Sequence, residues 1–213
     1  VQEKARQIEM FGRRMSSIVS SLSTALELSR DQAVVTAPQT EARLGKMLRD
    51  NPDLAALYLK PSDAESLSVF RAEVLSRSDV EAISADAPER RDVTVGPPQR
   101  VDSTQTMVMS FASDVTIDGA HAARIVAIAS LQPISQTVVG IDPTVSDDLW
   151  QQGLPIVFAV DRFGEAVFHP DPSFGALQRP MADLKIVQEW LQDGGQVQSA
   201  LVPFTASYNG VSH

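Results

Sequence analysis

From Gln2 to about Ser29, apolar residues recur at alternating intervals of three and four: Ile8, Phe11, Met15, Ile18, Leu22 and Ala25. That spacing places them on one stripe of an α-helix. A helix of this length runs ~40 Å, further than a small domain is wide. Such a stripe can pack on its own chain or pair with a second copy as a coiled coil, and one long helix can do both. Gly12 weakens the helix by about 1 kcal/mol relative to Ala. A second helix is expected over Pro38 to Asp50, with Leu44, Met47 and Leu48 on one side. Asn51-Pro52-Asp53 then breaks it, and Leu54 to Leu59 reads as a short apolar strand.

Leu67, Phe70, Val74 and Leu75 predict a helix over Ala64 to Ser76. The polar stretch from Ser76 to Gln105, Pro-rich around Gly96-Pro97-Pro98, reads as loop with a short strand at Val93 to Val95. Two firmer strands follow. Met107, Met109 and Phe111 alternate with Val108, Ser110 and Ala112, and beyond Asp118-Gly119 a second apolar run goes from Ala122 to Leu131. This is an antiparallel hairpin, with a short helix expected at Pro133 to Val139.

Gly140 to Pro155 is rich in Pro, Asp and Gly, with Leu149-Trp150 as its apolar anchor, and the domain boundary falls there. Residues 1–140 then form the helix and a first lobe, and residues 141–213 a second. In that second lobe Ile156 to Val160 and Glu165 to His169 predict a hairpin across Asp161-Arg162-Phe163-Gly164. A helix over Met181 to about Gln192 uses Leu184, Val187, Trp190 and Leu191 and stops at Asp193-Gly194-Gly195. Strands are expected at Gln196 to Leu201 and Phe204 to Tyr208. Asn209-Gly210 is a strong hairpin signal with little chain after it, so the natural protein is expected to continue beyond both ends, and the second lobe to be incomplete.

The chain has 213 residues, 43% hydrophobic and 21% charged, which fits an ordinary folded protein rather than a disordered or membrane-embedded one. Its net charge of −9 repels phosphate backbones and anionic membrane surfaces, so nucleic-acid binding is not expected. Arg13-Arg14 and Arg90-Arg91 are the dense basic spots, and acidic neighbours dilute both. With no cysteine, disulfides and thiolate chemistry drop out. The longest apolar run, Ile125 to Ala129 extended to Leu131, is far short of the ~20 residues that span a bilayer.

The order of long helix, short strand, helices, strand, Asp-Gly hairpin, strand and short helix resembles the membrane-distal half of double Cache sensor domains, a PAS-like family. The match lies in Met107 to Val139, above all Val126-Ala127-Ile128-Ala129-Ser130-Leu131 followed by Pro133-Ile134. In the second half, Val157-Phe158-Ala159-Val160-Asp161, then Gly164, then Val167-Phe168-His169-Pro170-Asp171 resembles the family's strand, Asp-x-x-Gly turn and strand. The resemblance implies an α+β fold: a long N-terminal helix, then two PAS-like lobes with antiparallel sheets. It implies the extracytoplasmic, signal-sensing part of a bacterial inner-membrane receptor of the histidine kinase, cyclase or chemoreceptor type. This domain would lie in the periplasm or outside the cell, between transmembrane helices that precede Val1 and follow His213. The amino-acid-sensing branch carries an aromatic and Arg cluster followed by a Tyr and an Asp. No such set aligns here, since Tyr58 has no Trp beside it.

Candidate chemistry is sparse. His121, His169 and His213 are scattered, with no metal-ligand spacing, and there is no nucleophile elbow or phosphate-cradling glycine loop. No enzyme, metal or cofactor is expected. A small molecule bound between sheet and crossing loops is the expected partner, with Tyr58, Arg91, Arg100, Met109, Phe111 and Arg124 as candidate contacts. Each has an ordinary alternative, core for Met109 and Phe111 and surface for the arginines. A homodimer through the N-terminal helix is the second expected partner. The competing reading is an interaction module without a pocket that relays a partner protein's signal.

Overall fold

In the computed structural model, the described residues are 2–29, 38–87, 92–139, 158–160, 163–164, 166–168, 181–193, 207–208 and 211–212. The long amphipathic stripe forms helix α1, Gln2–Ser29. Its inward line runs through Phe11, Met15, Val19, Ser23 and Leu26, all buried. The expected stripe is thus rotated by about one position. Phe11 and Met15 hold, Ile18 and Leu22 sit half-buried at its edge, and Ala25 is exposed. Met15 is wholly buried, so this side of the helix packs on its own chain. Helix α2, Pro38–Asp50, buries Thr40, Leu44 and Leu48. It begins on a proline, whose missing N–H costs nothing at a first helical position.

Five antiparallel strands follow: β1 Leu54–Pro61, β2 Leu67–Phe70, β3 Thr94–Val101, β4 Thr106–Ile117 and β5 Ala120–Ser130. They form one sheet in the order β2-β1-β5-β4-β3. The turn between β4 and β5 holds Asp118 at φ 51 and Gly119 at φ 82, the paired left-handed conformations of the tightest hairpins. Helix α3, Arg77–Ala85, lies between β2 and β3 in sequence, and α4, Gln132–Val139, follows β5.

Two expectations fail here. The apolar spacing read as a helix over Ala64 to Ser76 belongs instead to β2 and the turn after it. Phe70, Val74 and Leu75 still reach one core cluster, but by a strand and a bend. The stretch read as loop from Ser76 holds α3 and the whole of β3. Ser76 caps α3: its hydroxyl accepts from the Asp79 N–H, while the Asp79 carboxylate accepts from the Ser76 N–H at 2.8 Å. This Ser-x-x-Asp capping box was legible in the sequence. β3 tolerates Pro97 and Pro98 because it is an edge strand, and its register shifts between Val95 and Pro98.

Register fixes the two faces of the sheet, since alternate side chains point opposite ways. On one face stand Phe70, Ala56, Tyr58, Val126, Ile128, Val108, Ala112 and Val101, packed with Val80 and Ile83 of α3, with Leu75 and with Ala87. This is the α3 face. On the other stand Leu57, Leu59, Phe111, Ile125, Ala127 and Ala129, each 1% exposed or less. The buried side chains of α1 and α2 lie outside the α3-side cluster, and α2 packs against β1 and β2. Arg71 ties α2 to β1, its Nε donating to Leu54 O at 2.8 Å and its Nη2 to Leu48 O at 2.8 Å and Asn51 O at 3.3 Å. Arg14 pairs with Asp53 at the same corner.

Contacts divide the chain into two units, Arg6–Ile134 and Ser135–His213 with Val1–Ala5. The second holds a hairpin of β6 Ala159–Val160 and β7 Ala166–Phe168 across Gly164 at φ 81, then a 3-10 turn Met181–Asp183 and α5, Lys185–Gln192. Met181 and Val187 are its buried centre, with Phe158, Val160, Leu184, Ile186 and Leu191 packed around them. Met181 N donates to Gly164 O at 2.8 Å, which closes hairpin onto helix. The Asn209-Gly210 signal gives β8 Ser207–Tyr208 paired with β9 Val211–Ser212. The expected linker Gly140 to Pro155 and the strand Gln196 to Leu201 lie outside the described residues.

Candidate ligand-binding site

Tyr58 sits mid-β1, half-buried, and packs against the α3-side cluster. Its register neighbours make one row across all five strands: Ser68, Tyr58, Val126, Ala112 and Thr94. The next row places Arg124 between Lys60 and Asp114. Arg124 is 8% exposed, and its Nη2 donates to the carbonyl of Ala87, just beyond α3. A buried guanidinium of this kind is rare and needs partners for its charge. On the side of Tyr58 away from Arg124 the same face continues with the buried row Ala56, Ile128 and Ser110. One contact makes that row tight. A Cβ at Gly96 would collide with the hydroxyl of Ser110, which would have to shift to admit any larger residue where β3 pairs with β4.

The six candidate residues do not converge. Tyr58 and Arg124 share the α3 face. Arg100, Met109 and Phe111 lie on the opposite one, Arg100 beside Met107, Met109 between Ala129 and Pro98, and Phe111 between Ala127 and Val95. The expected grouping of Tyr58 with Arg100 and the Met109–Phe111 strand is therefore corrected. Strand parity sets them on two sides of one sheet, and no single site holds both sets. Phe111 is 1% exposed and belongs to the core. Arg91 lies outside the described residues. Reading the sequence missed Ser68 and Thr94, because a hydroxyl on a strand becomes a candidate only once register is known.

Among the described residues no group of three or more His, Cys, Asp or Glu side chains could hold a metal ion. His121 is exposed at the β4–β5 hairpin. His169 and His213 lie outside the described residues. No described helix is long and apolar enough to cross a membrane.

No protein-family model matches the chain, and no curated protein matches it. Solved structures do match in fold. One is an extracellular domain assigned to a histidine kinase, at 15% identity and a TM-score of 0.62 over 89% of this chain and 76% of that one. Another is the ligand-binding domain of the Pseudomonas aeruginosa amino-acid chemoreceptor PctB in complex with L-arginine, at 17% identity and a TM-score of 0.59, covering 97% of this chain and 78% of that one. A third is the ligand-binding domain of a Campylobacter jejuni chemoreceptor in complex with L-norvaline, at 11% identity and a TM-score of 0.57, covering 98% of this chain and 79% of that one. At these identities the likeness is one of fold. The chain has the α+β fold of Cache-type extracellular sensor domains.

Proposed function

We propose that this chain is the extracytoplasmic sensor domain of a transmembrane signalling receptor and that it binds a small molecule on the α3 face of its five-stranded sheet. The observation that carries the reading is that half-buried Tyr58 and buried Arg124 stand in neighbouring rows of one sheet face, the face that packs on α3. A mostly apolar surface with a few placed polar groups is what small-molecule sites require. The fold supports it, since proteins of the same fold are ligand-binding domains of receptors. The domain recognises its ligand without chemical change: it is not an enzyme, and needs no cofactor. The receptor lies in a bacterial inner membrane, with this domain outside the cytoplasm and an output domain of kinase, cyclase or chemoreceptor type within.

The test is a thermal-shift screen of metabolites against the wild type, Tyr58→Ala and Arg100→Ala. A ligand at about a hundred times its Kd stabilises by ~2.7 kcal/mol, which for this size raises Tm by roughly 5 to 11 °C. The expected result is a shift lost in Tyr58→Ala and kept in Arg100→Ala, whose side chain is on the far face. If no compound shifts the wild type, the pocketless interaction module takes its place.

The same reading includes a homodimer through α1. Met10 and Leu28 are 60% and 75% exposed. They lie eighteen residues apart, five whole helical turns, and so on one line. That outward line, not the inward one through Met15, is the surface offered to a second copy.

A further inference from the structure

The chain has six methionines and no cysteine, so thioethers are its only sulfur. Their exposure is graded. Met15 is wholly buried and Met181 is 6% exposed; Met47, Met107 and Met109 are half-buried; Met10 is 60% exposed. Oxidation by a dissolved oxidant follows exposure, which puts Met10 first.

Position gives that order a consequence. Met10 and Leu28 are the two large apolar side chains that α1 leaves exposed. Between them the same line of the helix carries only small polar residues, Ser17, Ser21 and Thr24, all exposed. An apolar contact made along this line therefore depends on Met10 at one end and Leu28 at the other. Two-fold pairing brings the same surface of both copies together, so any change at Met10 enters the contact twice.

Methionine is flexible and apolar, whereas its sulfoxide is polar. A sulfoxide oxygen buried in a contact needs a donor, and the nearest cations are engaged: one turn on, Arg13 pairs with Glu9 and Arg14 with Asp53.

We propose that Met10 is a redox-sensitive contact: a peroxide converts its thioether to the sulfoxide, and the sulfoxide opposes the pairing of α1 with a second copy. In the step, the O–O bond of hydrogen peroxide breaks and an S–O bond forms at the Met10 sulfur. The sulfur gives up two electrons and water leaves. The oxidant reaches Met10 in the unpaired chain, and the sulfoxide then keeps that chain unpaired. The proposal rests on the reading that α1 pairs through its outward line, and it adds the regulation of that surface.

The experiment treats the full chain with hydrogen peroxide over a time course. Each sample is divided among peptide mass mapping for the sulfoxide at each methionine, sedimentation equilibrium for the dimer constant, and thermal melting for the fold. Met10 is expected to oxidise first, and the dimer to weaken by at least roughly tenfold as its sulfoxide accumulates, with Tm unchanged. Methionine sulfoxide reductase with a dithiol, which takes the oxygen off as water while the dithiol becomes a disulfide, restores the dimer. Met10→Gln, which fixes a polar side chain at the position, weakens the untreated dimer on the same scale.

A dimer that persists when Met10 is mostly sulfoxide overturns the proposal, and leaves the pairing of α1 standing. So does a half-buried methionine that oxidises before Met10, or a dimer that weakens only as Tm falls, since damage to the fold is then the cause. An untreated wild type that stays monomeric at high concentration is the distinct outcome in which the pairing of α1 itself fails and the redox contact falls with it.

Discussion

The carboxylate of Glu27, near the end of α1, accepts from both the N–H of Thr116 at 3.0 Å and its hydroxyl at 3.1 Å. One side chain thereby holds the long helix to the tip of the β4–β5 hairpin, where the register shifts between Val115 and Thr116 and frees an N–H from the ladder. Ser23, one turn earlier, faces the carbonyl of Asp114 at 3.5 Å. The clamp thus fixes the last turns of α1 to the β4–β5 hairpin.

Removing the clamp should cost stability. Glu27→Ala should lower the unfolding free energy by about 1 to 3 kcal/mol, the range for hydrogen bonds to a charged acceptor that leave a partly buried donor unmatched. Thr116→Val, which deletes the hydroxyl and keeps the N–H, should cost less. Urea denaturation of the three proteins measures this. Equal stability in Glu27→Ala and the wild type contradicts the clamp.

Gly96 and Ser110 form a second checkable pair. Gly96→Ala should destabilise by about 1 to 2 kcal/mol, the typical penalty of overpacking. In a Ser110→Ala background the same substitution should be nearly neutral, because the only atom in the way is the serine hydroxyl and the next nearest, the Ser110 Cβ, is at an ordinary 3.6 Å. A double-mutant cycle reads the coupling directly. An undiminished penalty in the Ser110→Ala background refutes the close approach.

The two sides of α1 should respond differently to charge. Met15→Glu places a carboxylate at a wholly buried position and should unfold or severely destabilise the chain. Met10→Glu with Leu28→Glu should leave the fold intact and abolish the proposed α1 dimer in sedimentation at high concentration. A dimer that survives the outward pair places the interface elsewhere.

Much of this fold could be read from the sequence because its longest elements have clean periods. The helix over Gln2–Ser29, the helix over Pro38–Asp50 and the strands on either side of Asp118-Gly119 lie where spacing and turn chemistry put them. The short edge elements did not read as clearly. β2 has four residues, and over so short a window the intervals of Leu67, Phe70 and Val74 suit a helix as well as a strand followed by a bend. β3 carries a Gly-Pro-Pro run that only an edge strand tolerates, and being an edge is a property of the assembled sheet. The site suffered for the same reason. Arg100, Met109 and Phe111 were grouped with Tyr58 because they are near in sequence to apolar strands. The face each one occupies depends on pairing register, which no local pattern reveals.

The central claim is that a ligand is held between α3 and the sheet. Hydrogen exchange of the full chain, with and without a compound that gives a thermal shift, tests it most directly. Amides of residues 77–87 should slow by at least roughly tenfold when the compound is bound at about a hundred times its Kd, since closing over a ligand stabilises the local fold as well as the global one. Protection in α1 and at Arg100 to Met109 with none in residues 77–87 would put the ligand on the other face and contradict the account.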